Sequence, residues 1–134
     1  RAAEYTMDQC FSFRIENSGV SILQISGMTA TDLPASDLLL IGPLFNEAHY
    51  EKLLDNVRPK AVIPSHWDDM WRPLAKGVRP IVTPPSWSIP PVKRVNLYRF
   101  AQTIRRISPE TKVFVPEALK YYDIRELLGA NTRH

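Results

Sequence analysis

Apolar and polar residues alternate with period two through Cys10-Phe11-Ser12-Phe13-Arg14-Ile15, a turn follows at Glu16-Asn17-Ser18-Gly19, and Val20, Ile22 and Ile25 resume an apolar strand with Leu23 inserted. Residues 10–26 therefore read as a β-hairpin. Residues 32–37 form a polar, proline-containing break, and Leu38-Leu39-Leu40-Ile41 follows as a wholly apolar run of the kind found in strands covered on both faces. Gly42-Pro43 ends it. Asn46 can cap a helix running to Val57, with Tyr50, Leu53, Leu54 and Val57 on one stripe and Pro59 just past its end. Ala61-Val62-Ile63 makes another short buried strand. Strand, helix and strand with tight connections form a βαβ unit, so the strands at 38–41 and 61–64 are expected to be parallel neighbours.

Beyond this unit, prolines 80, 84, 85, 90 and 91 interleave with Trp87 and Ile89, leaving only extended or polyproline conformation for a proline-rich arm at 79–95. A second helix, at 95–107, follows from Leu97, Phe100, Ile104 and Ile107 at helical spacing, with Arg99, Gln102 and Arg105 on the other side. Ser108-Pro109 stops it. Lys112-Val113-Phe114-Val115-Pro116 reads as a last strand, and residues 122–128 as a short terminal helix closed by Gly129. The pattern predicts an α/β fold, a mixed sheet with flanking helices.

A length of 134 residues with 44% hydrophobic and 23% charged residues fits a single domain, 1–134. The longest apolar run, at 38–41, is far short of the roughly 20 residues a membrane helix needs, and no signal-peptide pattern is present. No membrane partner is expected, and a cytoplasmic location is. The single cysteine, Cys10, excludes an internal disulfide and a CxxC zinc site, and reads as a small buried residue. The net charge of +3 is spread along the chain; Lys93-Arg94 and Arg105-Arg106 read as solvated faces, and no nucleic-acid partner is expected. The first residue is Arg1, which suggests a processed product or a piece of something longer.

Candidate chemistry concentrates in Ile63-Pro64-Ser65-His66-Trp67-Asp68-Asp69, which sets a histidine and two carboxylates directly after a buried strand. Ligands of open α/β sheets collect at the carboxyl ends of strands. Imidazole is the commonest metal ligand, and a nearby carboxylate can serve as a second ligand, a base or an orienter of the ring. The same residues also fit a hydrogen-bonded loop histidine followed by turn-capping aspartates. His49, on the first predicted helix, reads as a surface or helix-flank residue, and His134 lies at the terminus. Ser65 and Ser26-Gly27 lack a nucleophile elbow, and the five glycines form no phosphate loop.

Three segments together carry a family resemblance: Ser36-Asp37-Leu38-Leu39-Leu40-Ile41, then Tyr50-Glu51-Lys52-Leu53-Leu54, then the run from Arg58-Pro59-Lys60 through Ala61-Val62-Ile63-Pro64-Ser65-His66-Trp67-Asp68-Asp69. They resemble the carboxy-terminal half of a metallo-β-lactamase-fold hydrolase, more narrowly the metal-dependent hydrolases related to ascorbate-phosphate lactonase. The resemblance spans most of residues 5–120. It implies half of an αββα sandwich, with His66 as the last metal ligand, Asp68 as a catalytic-loop residue orienting ligand or substrate, and Trp67 and Trp71 at the pocket rim. It also implies zinc or manganese in a complete enzyme acting on a small-molecule ester, lactone or phosphodiester.

The chain departs from that family in two respects. The family's HxHxDH motif is missing, and Gly27 is followed by Met28 where an acid is expected, with Asp32 a weak substitute. A catalytic zinc needs about three protein ligands and this chain offers one well-placed histidine, so the chain alone is expected to be incomplete and inactive. The alternative is a non-catalytic binding or assembly module that kept the fold and lost the metal. An isolated half-sandwich would leave an apolar sheet face in water, which predicts a homodimer with Val20, Ile22, Leu38, Leu40, Val62 and Val113 at or near a shared core and the proline arm embracing the partner.

Overall fold

The computed structural model describes residues 12–25, 32–43, 45–69, 72–80 and 95–129. Among these, five strands lie side by side in chain order: β1 (Phe13–Asn17), β2 (Val20–Gln24), β3 (Leu38–Ile41), β4 (Ala61–Pro64) and β5 (Lys112–Val113). β1 and β2 are antiparallel, and every later neighbour is parallel. α1 (Glu47–Val57) connects β3 to β4, α2 (Leu97–Ile107) precedes β5, and α3 (Ile124–Leu128) follows it. The α/β class and the mixed sheet with flanking helices are those read from the sequence.

Cross-strand register decides which residues share a face. Leu23 pairs with Leu39, Leu39 with Val62 and Val62 with Val113, so these four side chains point the same way. α1 and α2 cover that face. Leu23, Ile25, Leu39, Ile41 and Val62 pack against Tyr50, Leu53, Leu54 and Val57 of α1 and Phe100 and Ile104 of α2 in one buried cluster. Each such side chain is worth about 1.5–3 kcal/mol of burial. The helices are also held at their ends. The Asn46 and Asn96 side chains accept hydrogen bonds from the main-chain N–H of His49 at 2.9 Å and of Arg99 at 3.0 Å. Both caps lie outside the helices proper, which is why α1 and α2 start at 47 and 97 rather than 46 and 95. An ion pair between Glu47 and Arg106 bridges the two.

The amino ends of the parallel strands are tied by Asp37. Its carboxylate accepts from Ser21 N–H at 2.9 Å and Ser21 Oγ at 2.8 Å and pairs with Lys60 Nζ at 2.8 Å. Its own N–H donates to Ser21 Oγ at 3.0 Å, and its carbonyl accepts from Lys60 N–H at 2.9 Å. Nearby, the buried Thr111 hydroxyl donates to the Pro59 carbonyl at 2.8 Å, fixing the entry to β5 against the entry to β4.

On the opposite face the same register aligns Phe13, Ile15, Ile22, Leu38, Leu40, Ala61, Ile63 and Lys112. α3 lies on this side. Its Arg125 reaches the Ser18 carbonyl at 3.3 Å, and the Lys112 ammonium lies beside the Gly129 backbone at its end. Leu38 and Ala61 are buried, whereas Phe13 and Ile15 are 57% and 59% exposed.

The faces correct the expected shared core. Val62 and Val113 point toward α1 and α2, and Val62 is fully buried there, so neither can belong to a surface shared with Ile22, Leu38 and Leu40. The last strand is shorter than the apolar run suggested. Phe114 N–H still bonds the Val62 carbonyl at 2.9 Å, but its ring turns edge-on to Tyr122, with centroids 4.8 Å apart. The terminal helix begins at Ile124 because Asp123 caps it, accepting from Arg125 N–H at 2.8 Å. Cys10, Met28, Trp71, Trp87, His134 and residues 81–94 of the proline arm lie outside the described residues.

Candidate functional site

β4 delivers the candidate residues to the carboxyl edge of the sheet. One residue past its end, Ser65 N–H donates to the Ile41 carbonyl at 2.9 Å, so the ladder with β3 holds until the chain turns. The turn is at His66, which adopts φ 53°, a left-handed conformation that costs a non-glycine residue roughly 1–3 kcal/mol but that histidine enters more readily than most. His66 is exposed, Trp67 is half-buried and Asp68 is exposed.

The loop then folds back on itself. Asp68 forms an isolated antiparallel bridge with Pro80, and Asp69 N–H donates to the Arg79 carbonyl at 3.0 Å. The Asp69 carboxylate also pairs with the Arg79 guanidinium at 3.0 Å. Between these clips lies a short 3-10 helix, Leu74–Lys76, with the Arg72 guanidinium bonded to the Lys76 and Gly77 carbonyls. Asp69 is thus occupied in closing the loop, as expected of a turn aspartate. His66 and Asp68 are left presented at its base.

Among the described residues two buried polar atoms at this edge have no hydrogen-bond partner, Ser65 Oγ and His49 Nε2. The Ser65 hydroxyl is therefore not engaged by the neighbouring imidazole, which is against a serine nucleophile activated by His66. His49 is half-buried on α1, a helix-flank position rather than an open surface one. Its ring lies against Phe45, with centroids 4.5 Å apart, beside the α1 cap. The sequence held one signal for this: position 49 directly precedes Tyr50 on the buried stripe. The Tyr50 hydroxyl donates to the Gly42 carbonyl at 3.1 Å and accepts from Phe45 N–H at 3.2 Å, and burial pushes its ionisation up to about 12. It works as a neutral strut under the edge.

The chain matches no protein-family model, no curated protein and no solved structure. The likeness to metallo-β-lactamase-fold hydrolases rests on the segments quoted above. A metal centre can be judged only on the donors themselves. Among the described residues no group of three His, Cys, Asp or Glu side chains is arranged to hold an ion. His66 with Asp68 falls short of the roughly three protein ligands that a catalytic zinc requires. These residues do not make a metal centre by themselves and carry no hydrolytic step of their own. A groove of about 600 Å³ opens elsewhere, between the amino ends of α1 and α2, where Phe45, Tyr50, Val95, Arg99 and Thr103 are among its walls.

Proposed function

We propose that this chain is one α/β layer of a metal-dependent hydrolase acting on a small-molecule ester, lactone or phosphodiester, and that it is inactive alone. His66 supplies one ligand to a zinc or manganese ion, Asp68 orients that ligand or the substrate, and the remaining ligands come from outside the described residues. The observation that supports this reading is the placement of His66, exposed and in a left-handed turn at the carboxyl end of β4, where α/β sheets hold their ligands. A second reading, a non-catalytic binding or assembly module, is favoured by Met28, which follows Gly27 where the resembled family has an acid.

Titration of the purified chain with Zn²⁺, followed by NMR of the imidazole resonances of His49, His66 and His134, separates the two. The hydrolase reading expects His66 to shift first, with weak affinity and no retained stoichiometric metal, and expects His66→Ala to abolish that response. Shifts confined to His49 or His134, or none, would discard it in favour of the module.

A further inference from the structure

Among the described residues β1 and β5 are the two edges of the sheet, and they are treated differently. An edge strand exposes unpaired main-chain N–H and C=O groups, and folds protect such edges with short strands, lysines, prolines or bulges. β5 is protected in this way: it has two residues, one of them Lys112, and the chain soon reaches Pro116. β1 has five residues, all exposed, with no lysine, proline or bulge. We propose that β1 pairs antiparallel with β1 of a second copy of this chain, about a two-fold axis through Ile15, joining the two sheets into one.

The hairpin fixes the possible registers. Ser18 and Gly19 have φ of 52° and 77°, as in a type I′ turn, which makes the flanking pair Asn17 and Val20 a hydrogen-bonded one. Bonded and non-bonded pairs alternate, so Ile15 with Ile22 and Phe13 with Gln24 are bonded too. The main-chain groups of Phe13, Ile15 and Asn17 are thus engaged with β2, and those of Arg14 and Glu16 point outward. Outward groups must meet outward groups, so an antiparallel two-fold can fall on a residue but not between two. On Arg14 or on Glu16 it would set like charges directly opposite, which is destabilising. On Ile15, the middle of the strand, it sets Arg14 against Glu16 of the second copy, twice, and lays Ile15 beside its own copy.

Both faces accept this arrangement. Arg14 and Glu16 lie on the Leu23 side and already ion-pair within the chain, so a second copy gives each an opposite charge on its outer flank. Phe13 and Ile15 lie on the other side, and the apolar row Ile15, Ile22, Leu38 and Ala61 of one copy becomes continuous with that of the other. This interface is independent of the reading of His66.

Sedimentation equilibrium over a micromolar concentration series tests it. The native chain is expected at twice its own mass. Arg14→Glu and Glu16→Arg should each weaken association by about tenfold or more, and the combined exchange should restore it to within about threefold, because only the pairing of opposite charges is common to native and double variant. Circular dichroism checks that each variant folds. A register test does not depend on those variants. Non-bonded antiparallel pairs hold Cα atoms about 4.5 Å apart, within disulfide range. Ile15→Cys in a Cys10→Ser background should therefore crosslink on mild oxidation. A monomer at every concentration, a dimer indifferent to both charge reversals, a double variant as weak as the single ones, or no crosslink would each overturn the proposal.

Discussion

Asp37 offers the sharpest test of what holds this fold together, because a single carboxylate joins β2, β3 and the residue before β4. Its ionisation is held down from 3.8 to about 2, chiefly by the hydrogen-bonded Lys60 ammonium and then by Ser21 N–H, against the opposing effect of partial burial. At about 1.4 kcal/mol per pH unit this depression corresponds to at most about 2.4 kcal/mol. Lys60 is 66% exposed, so solvent screens the largest contribution and about 1–2 kcal/mol is the better expectation. Asp37→Asn keeps an acceptor for Ser21 and should lose about that much, 1–2 kcal/mol. Asp37→Ala also strands the main-chain N–H of the buried Ser21, adding about 1–3 kcal/mol, for a total of about 2–4. A carboxyl group depressed in the folded state stabilises fully well above its unfolded value of 3.8, and the benefit fades as pH falls through about 2. Urea unfolding at neutral pH should rank native above Asn above Ala, and the gap between native and Asn should close by about pH 2. An Ala variant within about 0.5 kcal/mol of native, or a gap that does not change with pH, would refute the assignment of Asp37 as the tie between strands.

Other substitutions test other parts. Tyr50→Phe should cost about 1–2 kcal/mol in urea unfolding, since it leaves the Gly42 carbonyl and Phe45 N–H without their shared partner. Leu39→Ala, at a fully buried position in the central strand, should cost about 2–5 kcal/mol, and a loss under 1 would place the core elsewhere. His66→Gly should raise the thermal midpoint by relieving about 1 kcal/mol of left-handed strain, whereas His66→Ala should not; a glycine variant less stable than native would mean that the His66 side chain itself supports the loop.

The parts of this fold that were legible in the sequence are those where one local pattern and one burial environment agree. Leu38 to Ile41 is apolar throughout because Leu39 and Ile41 face the cluster under α1 and α2 while Leu38, on the opposite face, is buried as well, and the strand was found with its bounds. Asn46 announced α1 because a cap is a local device. What failed is what depends on partners distant in sequence. The direction in which Val62 and Val113 point follows from register with Leu39, which no local period encodes. Asp37 read as part of a polar break, since its partners Ser21 and Lys60 lie 16 and 23 residues away on either side. At the candidate site, the position of His66 after β4 was legible from the strand signal before it. The sequestered ring nitrogen of His49 was not, because it depends on side-chain packing such as that of Phe45 against the ring.

The strands stand in space in the order in which they occur along the chain. None of the described strands has to be threaded between two others that have already met, so the sheet can be laid down like planks, each new one against the last. The hairpin of β1 and β2 needs only its own turn, β3 docks on the flank that β2 presents, and α1 can close over β3 before β4 arrives. Pairings between sequence neighbours lower the entropy cost of each addition and favour quick assembly. A chain growing from its amino end would therefore extend the sheet on one side only, the flank opposite β1, with each stage waiting for the segment next to emerge. Only the addition of β5 and α3 releases that flank from waiting, and of all the joins this one has the fewest paired residues to hold it.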